Sequence, residues 1–218
     1  MNSKTKISPP ALGVLDETYT LESFALDAPD KEAANKLFKA QSLTETSFSS
    51  SVFTQVLFEN CRLSGCTFKK CAFTDVIFKS CDLSRCDFSQ SKFRRCTIDS
   101  ARVTGARFME SSLNDLTFKE CGLEYANFDS SKLEKVLFHK ANLSESNLTN
   151  CKLRLTGFTE SRLSRASFFQ TSLKGVDLSG NEIDGLGVSD DAHELKGVIV
   201  EIFQAAELAR LLGVVIKS

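Results

Sequence analysis

CRLSGCTFKKCAFTDVIFKSCDLSRCDFSQ, residues 61–90, places a large apolar side chain at every fifth position: Leu63, Phe68, Phe73, Phe78, Leu83 and Phe88. The phase holds without a slip in both directions. From Leu43 to Ile183 all 29 such centres are Phe, Leu, Ile or Val. Two residues before each centre the side chain is usually small, as at Cys61, Cys66, Cys81, Ala101, Ala106 and Ser131, and the remaining positions are mostly polar. A period of five fits neither the 3.6-residue repeat of a helix nor the two-residue repeat of a flat strand. The chain must turn regularly. If each pentapeptide is one side of a coil, the centre and the small residue before it both point inward, and each turn buries its apolar face only against its neighbours.

Residues stacked in successive turns should resemble one another, and a four-sided coil then predicts a period of twenty. One side reads Leu43, Leu63, Leu83, Val103, Leu123, Leu143, Leu163, Ile183, with no Phe. The second carries Phe48, Phe68, Phe88, Phe108 and Phe128, and the fourth Phe58, Phe78, Phe118, Phe138 and Phe158. Val appears at the small position only on the fourth side, at Val56, Val76, Val136 and Val176. The expected fold is an all-β, four-sided β-helix of about seven turns with strands about 4.8 Å apart, its hollow filled by ladders of Phe and Leu. Three segments follow: an N-terminal cap over residues 1–40, the coil over 41–183, and a C-terminal capping helix over 184–218.

The eight cysteines invite a metal or redox reading, but all of them (Cys61, Cys66, Cys71, Cys81, Cys86, Cys96, Cys121 and Cys151) occupy the same small inward position. Chance would place eight residues in one of five phases about once in 10⁵ trials, so they read as core. Cys61, Cys66 and Cys71 would lie on three different walls, not at one point as zinc requires. Of the two histidines, His139 falls on an outward position with no assignable nucleophile around it. The glycines at 175–187 lack the strand-to-helix context of a phosphate-binding loop. The expectation is no enzyme, no metal and no cofactor, leaving the outer surface to act.

The 218 residues carry 27 basic and 28 acidic side chains, a net charge of −1, which gives no bulk reason to bind nucleic acid or an anionic membrane. Residues 59–107 hold ten basic and five acidic side chains, whereas residues 184–218 hold six acidic and three basic. Negative potential is therefore expected near the C-terminal end, around Asp184, Asp190, Asp191 and Glu194. Leu57, Ile77 and Leu137, just before their Phe centres on the fourth side, are a candidate apolar strip for a partner. Met1–Pro10 lacks the apolar region of a signal peptide and no run reaches the 18 apolar residues of a membrane span, so a cytoplasmic location is expected.

Both ends of such a stack need covering. Asp27–Phe38, with Pro29 in its first turn, reads as a short helix within the N-terminal cap. At the other end Val200–Leu212 reads as a helix whose Phe203, Leu208, Leu211 and Leu212 share one face and could pair two copies.

CDLSR (81–85), ANFDS (126–130), ANLSE (141–145) and SNLTN (146–150) resemble the units of pentapeptide-repeat proteins. That resemblance implies a right-handed quadrilateral β-helix, commonly dimerised through C-terminal helices. TSLKGVDLSGN (171–181) and LKGVIVEIFQAAELARLLGVVI (195–216) are similar to the C-terminal end of Qnr-type quinolone-resistance proteins of Gram-positive bacteria with an unbroken coil. The implied function is non-enzymatic: a homodimer that binds DNA gyrase or topoisomerase IV, partly by mimicking duplex DNA, and protects it from quinolones. The alternative is a structural or adaptor module that binds another protein along one wall.

Overall fold

The backbone turns a corner at every fifth residue. In the computed structural model, which describes residues 6–27 and 31–217, each residue two past an apolar centre, from Asn35 to Gly185, has a positive φ between 50° and 76°. Left-handed backbone is unfavourable for residues with a Cβ, and none of these corners is Val, Ile, Thr or Pro. Most corner amides outside the long strands instead find a partner in the next turn: Gln90 N donates to Met109 O at 2.8 Å, and Glu110 N to Asp129 O at 2.9 Å.

Four corners close one turn, and twenty residues separate stacked positions. Strands β1 (Glu32–Lys39), β2 (Val52–Glu59), β3 (Ala72–Lys79), β4 (Lys92–Asp99), β5 (Ser112–Lys119) and β6 (Lys132–His139) each run along the third and fourth sides with a corner at mid-strand. In the last strand tier these sides are separate strands, β7 (Lys152–Arg154) and β8 (Gly157–Thr159), both paired with β6. All pairings are parallel and in register, as in Phe53↔Phe73↔Phe93. The first and second sides stack through single bridges such as Arg62↔Asp82↔Arg102 and Thr67↔Asp87↔Arg107. The result is a right-handed quadrilateral β-helix.

Inside, the rings stack as the period of twenty requires. Phe68 lies 5.0 Å from Phe88 and Phe88 5.1 Å from Phe108, each pair within 10° of parallel. Phe118 and Phe138 stack at 5.0 Å, and ladders on adjoining sides meet edge to face, as at Phe108 and Phe118, 5.7 Å apart. All ten predicted ladder Phe are buried. The small inward residues do more than fill space. The Cys86 thiol donates to Leu63 O, and the Ser91 and Ser111 hydroxyls donate to Phe68 O and Phe88 O at 2.7 and 2.8 Å. Cys and Ser are thus interchangeable as small donors that tie one turn to the carbonyls of the turn before.

The N-terminal end differs from expectation. No helix spans Asp27–Phe38: Glu32–Lys39 is β1, whose Ala33 and Phe38 keep the core phase and are buried, while Pro29 lies outside the described residues. The stacked ladder therefore begins within the stretch expected to be all cap. The covering helix is α1 (Leu21–Asp27), which seats Phe24 against Phe48 and Phe53, with ring centroids at 6.1 and 5.3 Å. Upstream of it, residues 8–16 form a strap on the corner column between the third and fourth sides. Asp16 bridges to Lys36, Ala11 N donates to Asp75 Oδ1 at 3.0 Å, and Ser8 N donates to Asp115 Oδ1 at 3.0 Å. Arg95 Nε also binds Asp75 Oδ1, at 2.8 Å.

At the C-terminal end Leu173 N donates to Glu194 O, Gly175 N to Gly197 O and Leu178 N to Ile199 O, a final rung in which the spacing has left twenty. A single 3₁₀ turn, His193–Leu195, takes up the difference. Helix α2 (Ile202–Leu211) closes the stack. Its capping box joins Glu201 and Gln204, and the buried Gln204 amide donates to both Leu178 O and Asn181 O at 2.8 Å.

Replacing Phe88 by Ala removes one ring from a continuous ladder and should cost about 3–5 kcal/mol, read as a fall in the denaturant midpoint at unchanged slope. The strap has a pH signature. Arg95 beside Asp75 holds its carboxyl below the ordinary carboxylate range despite burial. A lowered folded pKa contributes stability above the unfolded value of about 4, and that contribution is lost as pH falls through the folded value. Hydrogen exchange at Ala11 should therefore gain little protection change from pH 8 to 5, after correction for intrinsic rates, and lose protection below about pH 4. Asp75→Ala should accelerate it about ten- to a hundredfold at neutral pH.

Candidate interaction surfaces

With the hollow filled, function must lie on the walls and ends. The register that stacks Phe inside also stacks charges outside. Lys79 pairs with Glu59 at 2.9 Å, Arg107 with Asp87 at 3.1 Å, Lys119 with Asp99 at 3.1 Å and Arg165 with Glu145 at 2.6 Å, each across one rung. Such exposed pairs add little stability, and their main effect is to cancel charge locally.

The predicted apolar strip is a real row. Leu37, Leu57 and Ile77 are successive partners on the fourth wall, followed by Thr97, Thr117 and Leu137. These side chains are half-buried, and Leu137 is separated from Ile77 by the two threonines. Leu37 was missed because β1 was read as a helix.

The predicted acidic group divides. Asp184, Asp190 and Asp191 are exposed, and Asp184 accepts from Ser164 Oγ at 2.6 Å. Glu194 is fully buried and cannot face a partner. Its carboxylate accepts from Gln170 N at 2.8 Å and from the amide and hydroxyl of Ser189 at 3.2 and 2.8 Å. Burial pushes this carboxyl up, but those donors outweigh it and hold Glu194 below its ordinary value. Beside it the Ser189 hydroxyl and His193 hold Asp191 down at about 2, and Asp191 in turn raises His193. Asp191, His193 and Glu194 bring ligand atoms within 4.8 Å of one another. Their hydrogen bonds with Ser189 and Gln170 account for that convergence.

The dimer-face residues divide as well. Leu208 is buried against the coil of its own chain, whereas Phe203 is 83% exposed and Leu212 58% exposed. Ile202, Val214 and Val215 are also exposed. The C-terminal end is thus the largest concentration of exposed apolar side chains among the described residues, and Leu208 belongs to the cap beneath it. Burial raises the thiols of Cys71, Cys96, Cys121 and Cys151 to about 12, which leaves them protonated and poorly nucleophilic. His139 bonds Thr159 Oγ1 through Nδ1 at 3.0 Å across one rung. No helix among the described residues is long and apolar enough to cross a membrane.

The architecture has known counterparts. Residues 51–128 and 71–148 match the family profile described as a pentapeptide repeat region. Trypsin-treated QnrB1, a plasmid-mediated fluoroquinolone resistance protein, is similar in structure with a TM-score of 0.56 and 25% identity, covering 95% of this chain and 98% of that one. Full-length QnrB1 gives a TM-score of 0.51 at 25% identity over 82% and 91% of the two chains. HetL, a pentapeptide repeat protein involved in regulating heterocyst differentiation in the cyanobacterium Nostoc, shares the fold with a TM-score of 0.56 at 19% identity over 84% and 92%. No curated protein matches the chain by sequence. The five-residue phase, the four stacked sides and these likenesses together make residues 51–148 a pentapeptide repeat region, in a chain that resembles the Qnr-type pentapeptide-repeat proteins.

Proposed function

We propose that this chain is a non-enzymatic, dimeric pentapeptide-repeat protein that binds a type II DNA topoisomerase, DNA gyrase or topoisomerase IV, and lowers its sensitivity to quinolones. The observation that carries the reading is the likeness to a fluoroquinolone resistance protein over nearly the whole of both chains. The exposed acids Asp184, Asp190 and Asp191 supply a negative region at the C-terminal end, where a second copy would double it. DNA mimicry is confined to that region, because ten basic residues against five acidic ones make residues 59–107 positive. The apolar end at Ile202, Phe203 and Leu212 supports pairing of two copies through α2, burying side chains that one copy leaves in water.

A second reading, an adaptor that binds another protein along one wall, is favoured by the aliphatic row Leu37, Leu57 and Ile77. It predicts capture of a protein other than a topoisomerase, lost on Leu57→Asp.

Supercoiling by purified gyrase in the presence of ciprofloxacin should be restored in a dose-dependent way by this protein, and no change at any concentration rejects the topoisomerase reading. Phe203→Asp with Leu212→Asp should convert a dimer to a folded monomer in sedimentation velocity at micromolar concentration. A monomeric wild type would reject the pairing.

A further inference from the structure

We propose that the third wall of the coil binds the phosphate backbone of duplex DNA. The four walls handle their cations differently. On the fourth wall Lys79, Lys119 and Lys140 all have acidic partners. Among the described residues the first wall leaves only Arg62 and Arg85 without an ion pair, and the second only Lys69 and Lys70. On the third wall and its edge Arg95 and Arg154 pair with Asp75 and Glu134, but Lys92, Arg94, Lys132, Lys135, Lys152 and Lys174 have neither an ion pair nor a side-chain hydrogen bond among the described residues, and all but Lys135 are exposed.

Stacking makes this costly. Lys132 and Lys152 are direct register partners in β6 and β7, about 4.8 Å apart at Cα. Like charges placed opposite each other in a sheet are destabilising. Ser112 and Ser172 occupy the same row, so the fold does not require Lys there. Where ion pairs form, the same geometry sets opposite charges across a rung, as at Arg154 and Glu134 on this wall and Lys119 and Asp99 on the fourth. Six unpaired cations on one wall, two of them stacked directly on each other, against two on the first wall, two on the second and none on the fourth, are the mark of a surface shaped for something outside the chain.

The chemistry of the wall selects the partner. Between the cations lie Ser112, Asn114 and Ser172, short polar groups suited to phosphate oxygens. The aromatic anchors that carry protein interfaces are missing from it, Leu155 being its one large exposed apolar side chain among the described residues. From the rung of Lys92 to that of Lys174 the row spans about 19 Å, along which a duplex presents roughly eleven phosphates at one charge per about 1.7 Å. The net charge of −1 argues against nucleic acid only while charge is averaged over the whole surface; resolved by wall, it does not. This inference is independent of the topoisomerase reading, which the supercoiling assay decides without reference to Lys132 or Lys152.

The test is fluorescence anisotropy of a labelled 30-base-pair duplex with the full chain between 50 and 200 mM KCl. Saturable binding is expected, with a log–log salt slope no steeper than about −5 for six cations. Lys132→Ser with Lys152→Ser should weaken binding at least tenfold at 50 mM KCl, lower the slope magnitude by about two, and leave the melting temperature unchanged or raised. Lys69→Glu with Lys70→Glu, which makes the chain four charges more negative by altering the second wall, should weaken binding less than the third-wall pair does. The proposal is overturned by no binding at 50 mM KCl, by an unchanged affinity in the Lys132/Lys152 variant, by equal or greater loss in the Lys69/Lys70 variant, or by poly-glutamate displacing the probe better than unlabelled duplex of equal charge.

Discussion

A left-handed corner at every fifth residue, its amide in most turns bonded to the turn above, is the constraint on which the rest of the molecule depends. Five residues per side and four sides per turn set the vertical repeat at twenty. Phenyl rings then fall on phenyl rings, thiols and hydroxyls reach the same carbonyls in turn after turn, and outward side chains line up as rows. The corner carries an energetic cost for any residue with a Cβ. The parallel hydrogen bonds and the buried ring stacks offset it, and neither would form if one corner failed to bring the chain back into register.

What was legible in the sequence was the inward half of this arrangement. The apolar centres repeat because one register serves the whole stack, and the change from Leu to Phe to Val between sides revealed how many sides there are. The corners left a signal too, but a negative one: the absence of β-branched side chains at every fifth residue, which the large apolar residues overshadow. β1 was misread because Ala33 weakens the phase and Pro29 suggests a helix start, whereas the deciding contribution, seven register partners on β2, is not local. Glu194 was read as surface because it is acidic and follows the repeat. Its burial reflects amides on Gln170 and Ser189 that a distorted last rung leaves in need of an acceptor. Leu208 shares a helical face with Leu211 and Leu212 in sequence, but only the docking of Gln204 onto the coil decides which of them meets its own chain.

The outer surface is read most clearly by rows. A mixed-charge exterior is ordinary when viewed residue by residue, yet the register distinguishes the fourth wall, where Lys79, Lys119 and Lys140 all have acidic partners, from the third, where Lys132 and Lys152 face each other. The apolar end at α2 stands apart from both. Pairing of two copies and contact with a polyanion would therefore draw on different surfaces of the molecule.

The strap along the corner column runs against the direction in which the coil is built. Ser8 leaves the ribosome 107 residues ahead of its acceptor, Asp115, which takes its place only after four further turns have wound past β1. A stack in which each turn touches only its neighbours could grow progressively as it is synthesised. The strap cannot follow that schedule: Asp16 can settle on Lys36, Ala11 on Asp75 and Ser8 on Asp115 only in that order, so the segment is fastened in the reverse of the order in which it was made.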